Sequence, residues 1–162
     1  MTKKEFEQFT EKNKQKFYRL AFSILKSHED AKDTVQEVVL KLWIKRANID
    51  GLNNVEGFFM NAIKNQSLDV LRRKNMESKF VSNLDANNAV NQNIDNKDLL
   101  ELLKTELQQL TVQQRMAVEL KDFQGYDYVE ISEMLQMSID AIRANVSRGR
   151  KRLFEIFREE LK

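Results

Sequence analysis

The fold is decided by residues 126–152, YDYVEISEMLQMSIDAIRANVSRGRKR. Asp127, with Glu130 three residues later, predicts a helix start, and this short helix is expected to end at Leu135. Ser138 is typical of the next N-cap and follows after a very short connection. Two helices joined in this way form a helix-turn-helix, a motif whose second helix can lie in a DNA groove.

The second helix of this motif has two different faces when its residues are placed at the helical repeat. One stripe is suited to packing and contains Ile139, Ile142, Val146, Gly149, Leu153 and Phe157. The opposite face is short-polar and cationic and contains Asp140, Ala144, Ser147, Arg148 and Lys151, with Arg143 and Arg150 beside them. Cations neutralise phosphates, and short side chains allow approach to base edges. The pattern therefore favours DNA binding over an ordinary amphipathic surface helix.

Composition excludes several classes of function. The 162 residues include no proline and only four glycines, which indicates an all-α protein. Cysteine is absent and His28 is the only histidine, so no disulfide, metal site or cysteine nucleophile is expected. No apolar run approaches the roughly 20 residues of a membrane span, so we expect no membrane insertion and a cytoplasmic location. The net charge of +2 does not by itself identify a nucleic-acid partner.

Apolar residues at helical spacing predict a first helix from Phe6 to about Leu25 and a second from about His28 to Arg46. The second helix places Leu40 and Ile44 opposite its core stripe. These aliphatics lie beside three polar side chains, Asp33, Gln36 and Glu37. A helix that buries only one face does not normally carry large aliphatics on the other. The outer residues are therefore either a partner surface or a contact with the chain's own first helix.

A loop at residues 47–54 precedes a third helix, predicted from about residue 54 to residue 73, with Asn53 and Glu56 as a capping pair. One face of this helix carries Asn61, Asn65 and Arg72, and Lys64, Arg73 and Lys74 add positive charge. Amide and guanidinium groups can hydrogen-bond exposed base edges and phosphates. Taken alone, however, this polar face is better explained by solvation.

The chain changes character after the third helix. Seven of the 22 residues in 75–96 are asparagine, and no periodic apolar pattern persists, which predicts a flexible linker over residues 75–97. Leucines then resume, and Thr111 with Gln114 predicts the start of the helix before the motif. The sequence thus predicts an all-α chain of two small helical domains, residues 1–74 and 98–162, joined by this linker and ending in a helix-turn-helix.

These features together resemble the extracytoplasmic-function sigma factors of bacterial RNA polymerase, a group of the sigma-70 family. The matching stretches are YRLAFSILKSHEDAKDTVQEVVLKLW at 18–43, FFMNAIKNQSLDVLRR at 58–73, LQQLTVQQRMAVELKDFQGYDYVEISEMLQMS at 107–138 and IDAIRANVSRGRKRLFE at 139–155. The pattern D-x-x-Q-E-V-x-L-K-L-W from Asp33 to Trp43 is the most specific part. The resemblance implies a promoter-specificity subunit that is not an enzyme and needs no cofactor.

The resemblance also implies roles for individual residues. The clamp helices of the largest polymerase subunit are expected to bind Asp33, Gln36, Glu37, Leu40 and Ile44. Unpaired bases of the −10 promoter element are expected to meet Asn48, Asn53, Asn61, Asn65 and Arg72. The −35 duplex is expected to meet Ser138, Asp140, Arg143, Ala144, Ser147, Arg148 and Lys151. An anti-sigma factor that clamps both domains is a further implied partner.

Two other classes of function remain as alternatives. The first is a helix-turn-helix regulator that binds duplex DNA without polymerase, and the outward Leu40 and Ile44 argue against it. The second is a small helical enzyme, which fits least well because the sequence has no metal-ligand cluster and no glycine-rich phosphate loop.

Three residues depart from the family's usual pattern. The turn usually carries Gly where this chain has Gln136, and the helix before it usually carries Ala where this chain has Ser132. Because a left-handed Gln costs on the order of 1 kcal/mol, the turn is expected to take a different shape. Gly149 replaces a usual Ala at a cost of about 1 kcal/mol, which predicts a close approach to the first helix of the motif.

Overall fold

The computed structural model describes residues 1–81 and 109–160. Within these ranges the chain forms six α-helices and no strand, so the predicted all-α class is confirmed. The helices are α1 (Lys3–Leu25), α2 (His28–Ile44), α3 (Val55–Val81), α4 (Val112–Val118), α5 (Tyr128–Leu135) and α6 (Ile139–Glu160). A 3-10 turn, Arg46–Asn48, follows α2, and a π-helical turn, Glu119–Phe123, continues α4. None of the helices in the described ranges is long and apolar enough to cross a membrane.

Helix caps set the C-terminal helices where the sequence predicts them. The Asp127 carboxylate accepts the Glu130 N–H at 2.8 Å, and the Glu130 carboxylate accepts the Asp127 N–H at 2.9 Å. Ser138 Oγ accepts the Ala141 N–H at 3.1 Å and so caps α6. Because each cap satisfies backbone donors that have no partner inside the helix, it fixes the start of that helix. The predicted helix-turn-helix is therefore confirmed as α5, a short turn and α6.

Helix α3 begins at Val55, one residue later than predicted, and its cap is shifted by one residue as well. Asn54, and not Asn53, is the capping residue, since its Oδ1 accepts the Gly57 N–H at 2.9 Å. The Glu56 side chain does not return to the helix start; it turns away to Lys16 Nζ at 3.0 Å. The predicted pairing of Asn53 with Glu56 is therefore wrong, because a cap at Asn54 places Gly57, and not Glu56, at the third helical position.

Helix α3 also ends later than predicted, at Val81 instead of near Arg73. Residues 75–81, predicted to begin the linker, are helical. No proline or glycine interrupts this stretch, and Lys74 forms an ion pair with Asp30 of α2. The rest of the predicted linker and the leucines at 99–107 lie outside the described residues.

Helices α1–α3 form an N-terminal unit around Phe59, whose side chain is fully buried. The ring centroids of Phe9, Phe17 and Phe6 lie 5.0, 5.4 and 5.8 Å from that of Phe59. Complete burial of one such ring contributes about 1.5–3 kcal/mol. This aromatic cluster holds α1 and α3 side by side, which positions the polar face of α3.

Helices α4–α6 form a C-terminal unit in which Ile131 of α5 and Ile142 of α6 are fully buried. The buried side chains of the two units belong to one continuous apolar cluster. The C-terminal unit packs on α1 through α4 and on α3 through α5. The two units therefore meet face to face, and this contact covers part of the predicted DNA-binding surface.

Candidate nucleic-acid and protein interfaces

The outer face of α2 exposes two large aliphatic side chains. Leu40 is 60% exposed and Ile44 is 72% exposed, so contact with the chain's own first helix does not explain them. Three exposed polar side chains lie on the same face, Asp33, Gln36 and Glu37. All five residues predicted to bind a protein partner are thus brought together; we refer to them as the α2 strip.

A groove of about 560 Å³ between α1 and α2 adjoins this strip. Its lining includes Phe6, Val39 and Trp43, and Leu40 and Gln36 belong to both the groove and the strip. Charged side chains of both signs on α1 also line it, with Lys3 paired to Glu7 and Lys14 paired to Glu11. An apolar surface edged by charged side chains matches a partner helix that has an apolar stripe and charged flanks.

The outer face of α6 is open to solvent. Of the seven residues predicted to meet duplex DNA, Ala144 is half-buried. The other six are exposed: Ser138, Asp140, Arg143, Ser147, Arg148 and Lys151. The Arg143 guanidinium lies 5.2 Å from the centre of the Tyr128 ring, and this contact holds the guanidinium beside the outer face of α6. Arg150, in contrast, is held by Asp122, with Nε 2.8 Å from Oδ2. The cations available to phosphates on this face are therefore Arg143, Arg148 and Lys151.

Gly149 lies where α6 crosses another helix. A Cβ atom at this position would stand 2.6 Å from Cγ2 of Val118. The predicted close approach is confirmed, but the neighbour is α4 and not the first helix of the motif. The reason is that α6 packs against both α4 and α5, and its middle turns face α4.

The turn of the motif is formed by Gln136 in the left-handed conformation, with φ 53° and ψ 46°. The expectation of a different shape is therefore wrong, because Gln adopts the conformation that Gly adopts at least cost. Ser132 Oγ donates a hydrogen bond of 2.6 Å to the Met137 carbonyl on the far side of the turn. This contact stabilises the turn and offsets part of the cost of the left-handed residue.

The polar face of α3 is partly covered by the C-terminal unit. Asn61 Nδ2 donates to the Met134 carbonyl of α5 at 2.8 Å, and Asn61 Oδ1 accepts from Asn65 Nδ2 at 3.0 Å. An asparagine amide offers one acceptor and one donor group. In this conformation both ends of the Asn61 amide are already engaged.

Two buried cations join the units. One donates from the N-terminal unit to the C-terminal unit, and the other donates from the C-terminal unit to the N-terminal unit. Lys64 of α3 is 7% exposed and its Nζ donates to the Leu135 carbonyl, at the C-terminus of α5, at 3.0 Å. Arg115 of α4 is 5% exposed and donates to the Ser23 and Ile24 carbonyls, at the C-terminus of α1, at 2.6 and 3.4 Å. Burial lowers the pKa of both side chains. The negative end of each helix dipole compensates part of that desolvation.

A third contact joins the units at Glu56. Its carboxylate accepts hydrogen bonds from Tyr126 Oη and, at 3.0 Å, from Lys16 Nζ. Burial acts to raise the pKa of Glu56, but these hydrogen bonds and the Lys16 charge outweigh it, so the pKa lies below its usual range. Burial and then the Glu56 carboxylate raise the pKa of Tyr126. The charged form of Glu56 therefore stabilises the contact between the units.

The other predicted −10 residues are exposed and lie apart from this contact. Asn48 and Asn53 are in the loop before α3, and Arg72 is further along α3 with a 3.6 Å ion pair to Asp69. Only Asn61 and Asn65 of the five are linked by a hydrogen bond.

Lys64 and Arg115 are contacts between the units that sequence reasoning missed. Lys64 was expected to add surface charge to α3, but its amine is buried. The only sequence feature that pointed to it is its spacing of three residues from Asn61, which places both on one face of the helix.

Metal chemistry has no candidate site in residues 1–81 and 109–160. No group of three or more His, Cys, Asp or Glu side chains is arranged there to hold a metal ion. The arrangement that the structure does present is one of surfaces: an exposed apolar strip on α2, an exposed cationic face on α6 and a partly covered amide face on α3.

Family models cover most of the chain. The model of sigma-70 region 2 matches residues 9–76, and the model of sigma-70 region 4 matches residues 100–153. The RNA polymerase sigma factor SigZ of Bacillus subtilis (strain 168) is 25% identical over 76% of this chain and 70% of its own length. SigV of the same strain is 24% identical over 92% of this chain and 89% of its own. An ECF sigma factor of Mycolicibacterium smegmatis, SigE, is 28% identical, and the match spans only 55% of its length.

Two solved structures share the fold. The sigma factor RpoE of Bartonella quintana, in complex with the anti-sigma factor NepR, has a TM-score of 0.79 at 24% identity and covers 96% of this chain and 98% of that one. CnrH, in complex with the cytosolic domain of CnrY, has a TM-score of 0.69 at 17% identity and covers 98% of this chain and 90% of that one. Both extend over the N-terminal and the C-terminal unit.

Proposed function

The chain belongs to the sigma-70 family, as an extracytoplasmic-function sigma factor, and from that premise we propose how its parts divide the work of promoter recognition. It is a promoter-specific transcription initiation factor, and its partners are RNA polymerase and promoter DNA. Our proposal assigns residues 1–74 to polymerase and −10 binding, residues 98–162 to −35 binding, and residues 75–97 to their connection. The protein contributes recognition and no catalysis, and it works in the cytoplasm beside the polymerase.

The observation that carries the proposal is the exposure of the α2 strip. Leu40 and Ile44 remain 60% and 72% exposed, whereas Val38 and Leu42 of the same helix are buried in the core. A partner that covers them gains roughly 25 cal/mol for each Å² of apolar surface removed from water. The neighbouring carboxylate of Asp33 attracts basic side chains of that partner, and Glu37 does so in competition with Lys41, whose Nζ lies 2.9 Å from its Oε1. We assign this surface to the clamp helices of the largest polymerase subunit.

The promoter is held at two places. The outer face of α6 enters the major groove of the −35 duplex, where Arg143, Arg148 and Lys151 neutralise phosphates and short side chains near Ser138 approach the bases. The face of α3 with its preceding loop traps unpaired −10 bases through asparagine amides, which supply both donors and acceptors. Trapping the single strand stabilises the open promoter, so melting requires no nucleotide hydrolysis.

We also propose an anti-sigma factor as a regulatory partner. The support is that both structural relatives were solved with such a partner, NepR or CnrY's cytosolic domain. A protein that contacts both units at once would hold them in one arrangement and keep α2 from polymerase.

In vitro transcription with core RNA polymerase and genomic DNA, with and without this chain, tests the proposal. Selective initiation at a small set of sites, dependent on the added chain, is the expected result. A chain that binds those DNA fragments without polymerase, and does not redirect polymerase, would support the alternative of an independent helix-turn-helix regulator.

The α2 strip is tested with the double variant Leu40→Ala, Ile44→Ala. We expect binding to core polymerase to weaken by tenfold or more, about 1.4 kcal/mol for each tenfold, with the helical circular dichroism spectrum unchanged. Met76→Ala, which removes another apolar side chain that is 71% exposed, on α3, is the matched control and should bind as the wild type does. Equal affinity of the double variant and the wild type would overturn the assignment of this surface.

A further inference from the structure

The segment that joins α2 to α3 begins with a hydrogen-bonded turn that carries an arginine. In the 3-10 turn Arg46–Asn48, the Asn48 and Ile49 N–H groups donate to the Lys45 and Arg46 carbonyls at 2.9 and 3.1 Å. The Ile49 side chain is 2% exposed and anchors the end of the turn in the core. The backbone of the turn is thus fixed, and with it the points from which Arg46 and Asn48 extend.

The Arg46 side chain folds back onto Trp43 in the last turn of α2. Its guanidinium carbon lies 4.0 Å from the centre of the indole ring, and its Nη1 donates to the Trp43 carbonyl at 3.2 Å. The indole is itself anchored, since the buried Phe6 ring packs against it in a T-shaped contact at 5.2 Å. A guanidinium stacked on a ring keeps N–H donors at its edge and loses little further freedom when it binds another group.

The charge of Arg46 is held in place but is not neutralised. None of the ion pairs within residues 1–81 and 109–160 includes Arg46, whose partners are an aromatic ring and a neutral carbonyl. Asp50, the only acidic residue of the loop at 47–54, pairs with the Met1 ammonium instead. A positioned cation without a carboxylate partner is suited to an anion from outside the protein.

The charges around Arg46 favour DNA over a protein as the source of that anion. The α2 strip ends at Ile44, close to Arg46, and its Asp33 carboxylate suits a partner with basic side chains, which Arg46 would repel. A single strand of DNA, in contrast, carries a phosphate at every nucleotide. The bases of such a strand are proposed to meet Asn48 and Asn53, which belong to the same loop.

We infer that Arg46 is a phosphate contact for the unpaired −10 strand and that Trp43 is its positioning residue. The indole holds the guanidinium beside the loop, where it binds the backbone of the strand while the asparagine amides meet the bases. A phosphate contact fixes the register of the strand without selecting its sequence. The inference rests on the −10 role proposed above for this loop.

The salt dependence of DNA binding tests the phosphate contact. The full chain is titrated with a fluorescein-labelled, random-sequence single strand, and with the same pool as duplex, by anisotropy at several salt concentrations. Arg46→Gln should make the slope of log K against log salt shallower by about 0.7 for the single strand, the value of one phosphate contact, and leave the duplex slope unchanged. Lys32→Gln, which removes an exposed cation near the other end of α2, is the matched control and should keep both slopes.

Two results would overturn the phosphate contact. One is a single-strand slope that is unchanged in Arg46→Gln or that changes equally in Lys32→Gln. The other is a loss of affinity for core polymerase in Arg46→Gln while single-strand binding stays at the wild-type level, which would assign Arg46 to the polymerase interface.

Variants of Trp43 test its positioning role because they leave the charge of Arg46 in place. Trp43→Leu should weaken single-strand binding at low salt about as much as Arg46→Gln does, roughly two- to fivefold. Trp43→Phe keeps an aromatic ring under the guanidinium and should bind as the wild type does. Adding Arg46→Gln to Trp43→Leu should cause little further loss, since both changes remove the same contact. Wild-type affinity in Trp43→Leu would refute the positioning role.

Intrinsic fluorescence gives a second measurement, because Trp43 is the only tryptophan of the chain. Its emission should change as the unlabelled single strand is added to the wild type, with the same midpoint as the anisotropy, and should not change in Arg46→Gln. An emission that ignores the strand in the wild type would contradict the inference. This measurement remains decisive if Trp43→Leu folds poorly by circular dichroism, since it needs only the wild type and Arg46→Gln.

Asn48→Ala separates this inference from the proposed function. If Asn48→Ala weakens single-strand binding and Arg46→Gln does not, the loop meets the strand as proposed and the inference about Arg46 fails. If Arg46→Gln lowers the slope while Asn48→Ala and Asn53→Ala bind as the wild type does, Arg46 holds the strand and the proposed base-trapping role of the loop asparagines fails.

Discussion

The outer face of α6 and the polar face of α3 were both expected to bind DNA, yet they stand in different surroundings. Every charged or hydroxyl side chain of the α6 set is exposed, whereas Asn61 of the α3 set is tied to α5. The difference comes from what lies behind each helix. α6 buries its apolar stripe within its own unit, so its other face is left to solvent, while α3 lies at the boundary between the units.

This difference shows that the sequence of a helix determines which of its faces is buried in its own unit, but not what packs over its polar face. Periodicity decides the face that Ile142 and Val146 bury, and hence the face that carries Arg143 and Arg148. It does not decide which remote segment packs over a polar face. A polar face can be covered when its groups find partners, as Lys64 does at the Leu135 carbonyl.

The largest expected effect concerns the open face. Arg143→Ala should weaken binding to a −35 duplex by between about fivefold and a hundredfold, or 1–3 kcal/mol, because a cation that contacts bases or phosphates is lost. Affinity is measured by anisotropy for the natural −35 element and for base-substituted versions. A loss confined to certain bases identifies base contact, and a uniform loss identifies phosphate contact.

Arg158→Ala is the control for this prediction, because it removes an exposed arginine further along the same helix. Its duplex affinity should stay close to that of the wild type. Equal losses in the two variants would mean that general charge, and not the predicted face of α6, controls binding.

The next effect concerns the packing of α6 against α4, on the side of α6 opposite its exposed cationic face. Gly149→Ala should destabilise the protein by about 1–2 kcal/mol, because the new Cβ would stand 2.6 Å from Val118 Cγ2 and must displace it. The better helix propensity of Ala opposes this by about 1 kcal/mol, so the overpacking has to be the larger of the two effects. Urea unfolding of the full chain gives the difference in free energy.

Val118→Ala makes room for that methyl group. The double variant Gly149→Ala, Val118→Ala should therefore be more stable than the sum of the two single effects predicts, by roughly 1 kcal/mol. Additive effects, or a stabilised Gly149→Ala, would show that α6 does not need a glycine at this crossing.

Local chemistry explains how much of this molecule could be predicted. The caps at Asp127 and Ser138 act within three residues, so sequence patterns were sufficient to predict them. The outward position of Leu40 also follows from one helix, but its exposure was decided by the structure. Asn54 and not Asn53 caps α3, so Glu56 is the second helical residue and cannot complete the capping pair; its carboxylate contacts Lys16, which is 40 residues away in the chain. The neighbour of Gly149 and the burial of Lys64 and Arg115 depend on packing between distant segments, for which one sequence contains no periodic pattern.

A smaller effect is expected on the polar face of α3, where Asn65 is exposed. Asn65→Ala should slow opening of a closed duplex promoter by holoenzyme about fivefold, the equivalent of one hydrogen bond of about 1 kcal/mol. Binding to a promoter with a pre-melted bubble should change less, because the strand is already separated. Permanganate reactivity of unpaired thymines measures opening on both templates.

Asn75→Ala removes a similar exposed amide from the last part of α3 and is the control. It should open promoters at the wild-type rate. If Asn65→Ala impairs opening of the closed promoter and binding to the pre-melted promoter equally, Asn65 does not trap bases. The polar face of α3 would then differ from the α6 face in its surroundings but would not be a second DNA-binding face.

The smallest effect concerns pH and the contact that covers α3. Because the folded-state pKa of Glu56 lies below its unfolded value of 4.5, its stabilising contribution is fully present above that value and is lost as the pH falls through the lower, folded-state pKa. Glu56→Gln should therefore be less stable than the wild type by up to about 1 kcal/mol near pH 7, and the difference should shrink near pH 3. Urea unfolding at both pH values measures it. A difference that stays constant between them would mean that the charge of Glu56 does not hold the units together, and that the buried cations and apolar packing close the boundary without it.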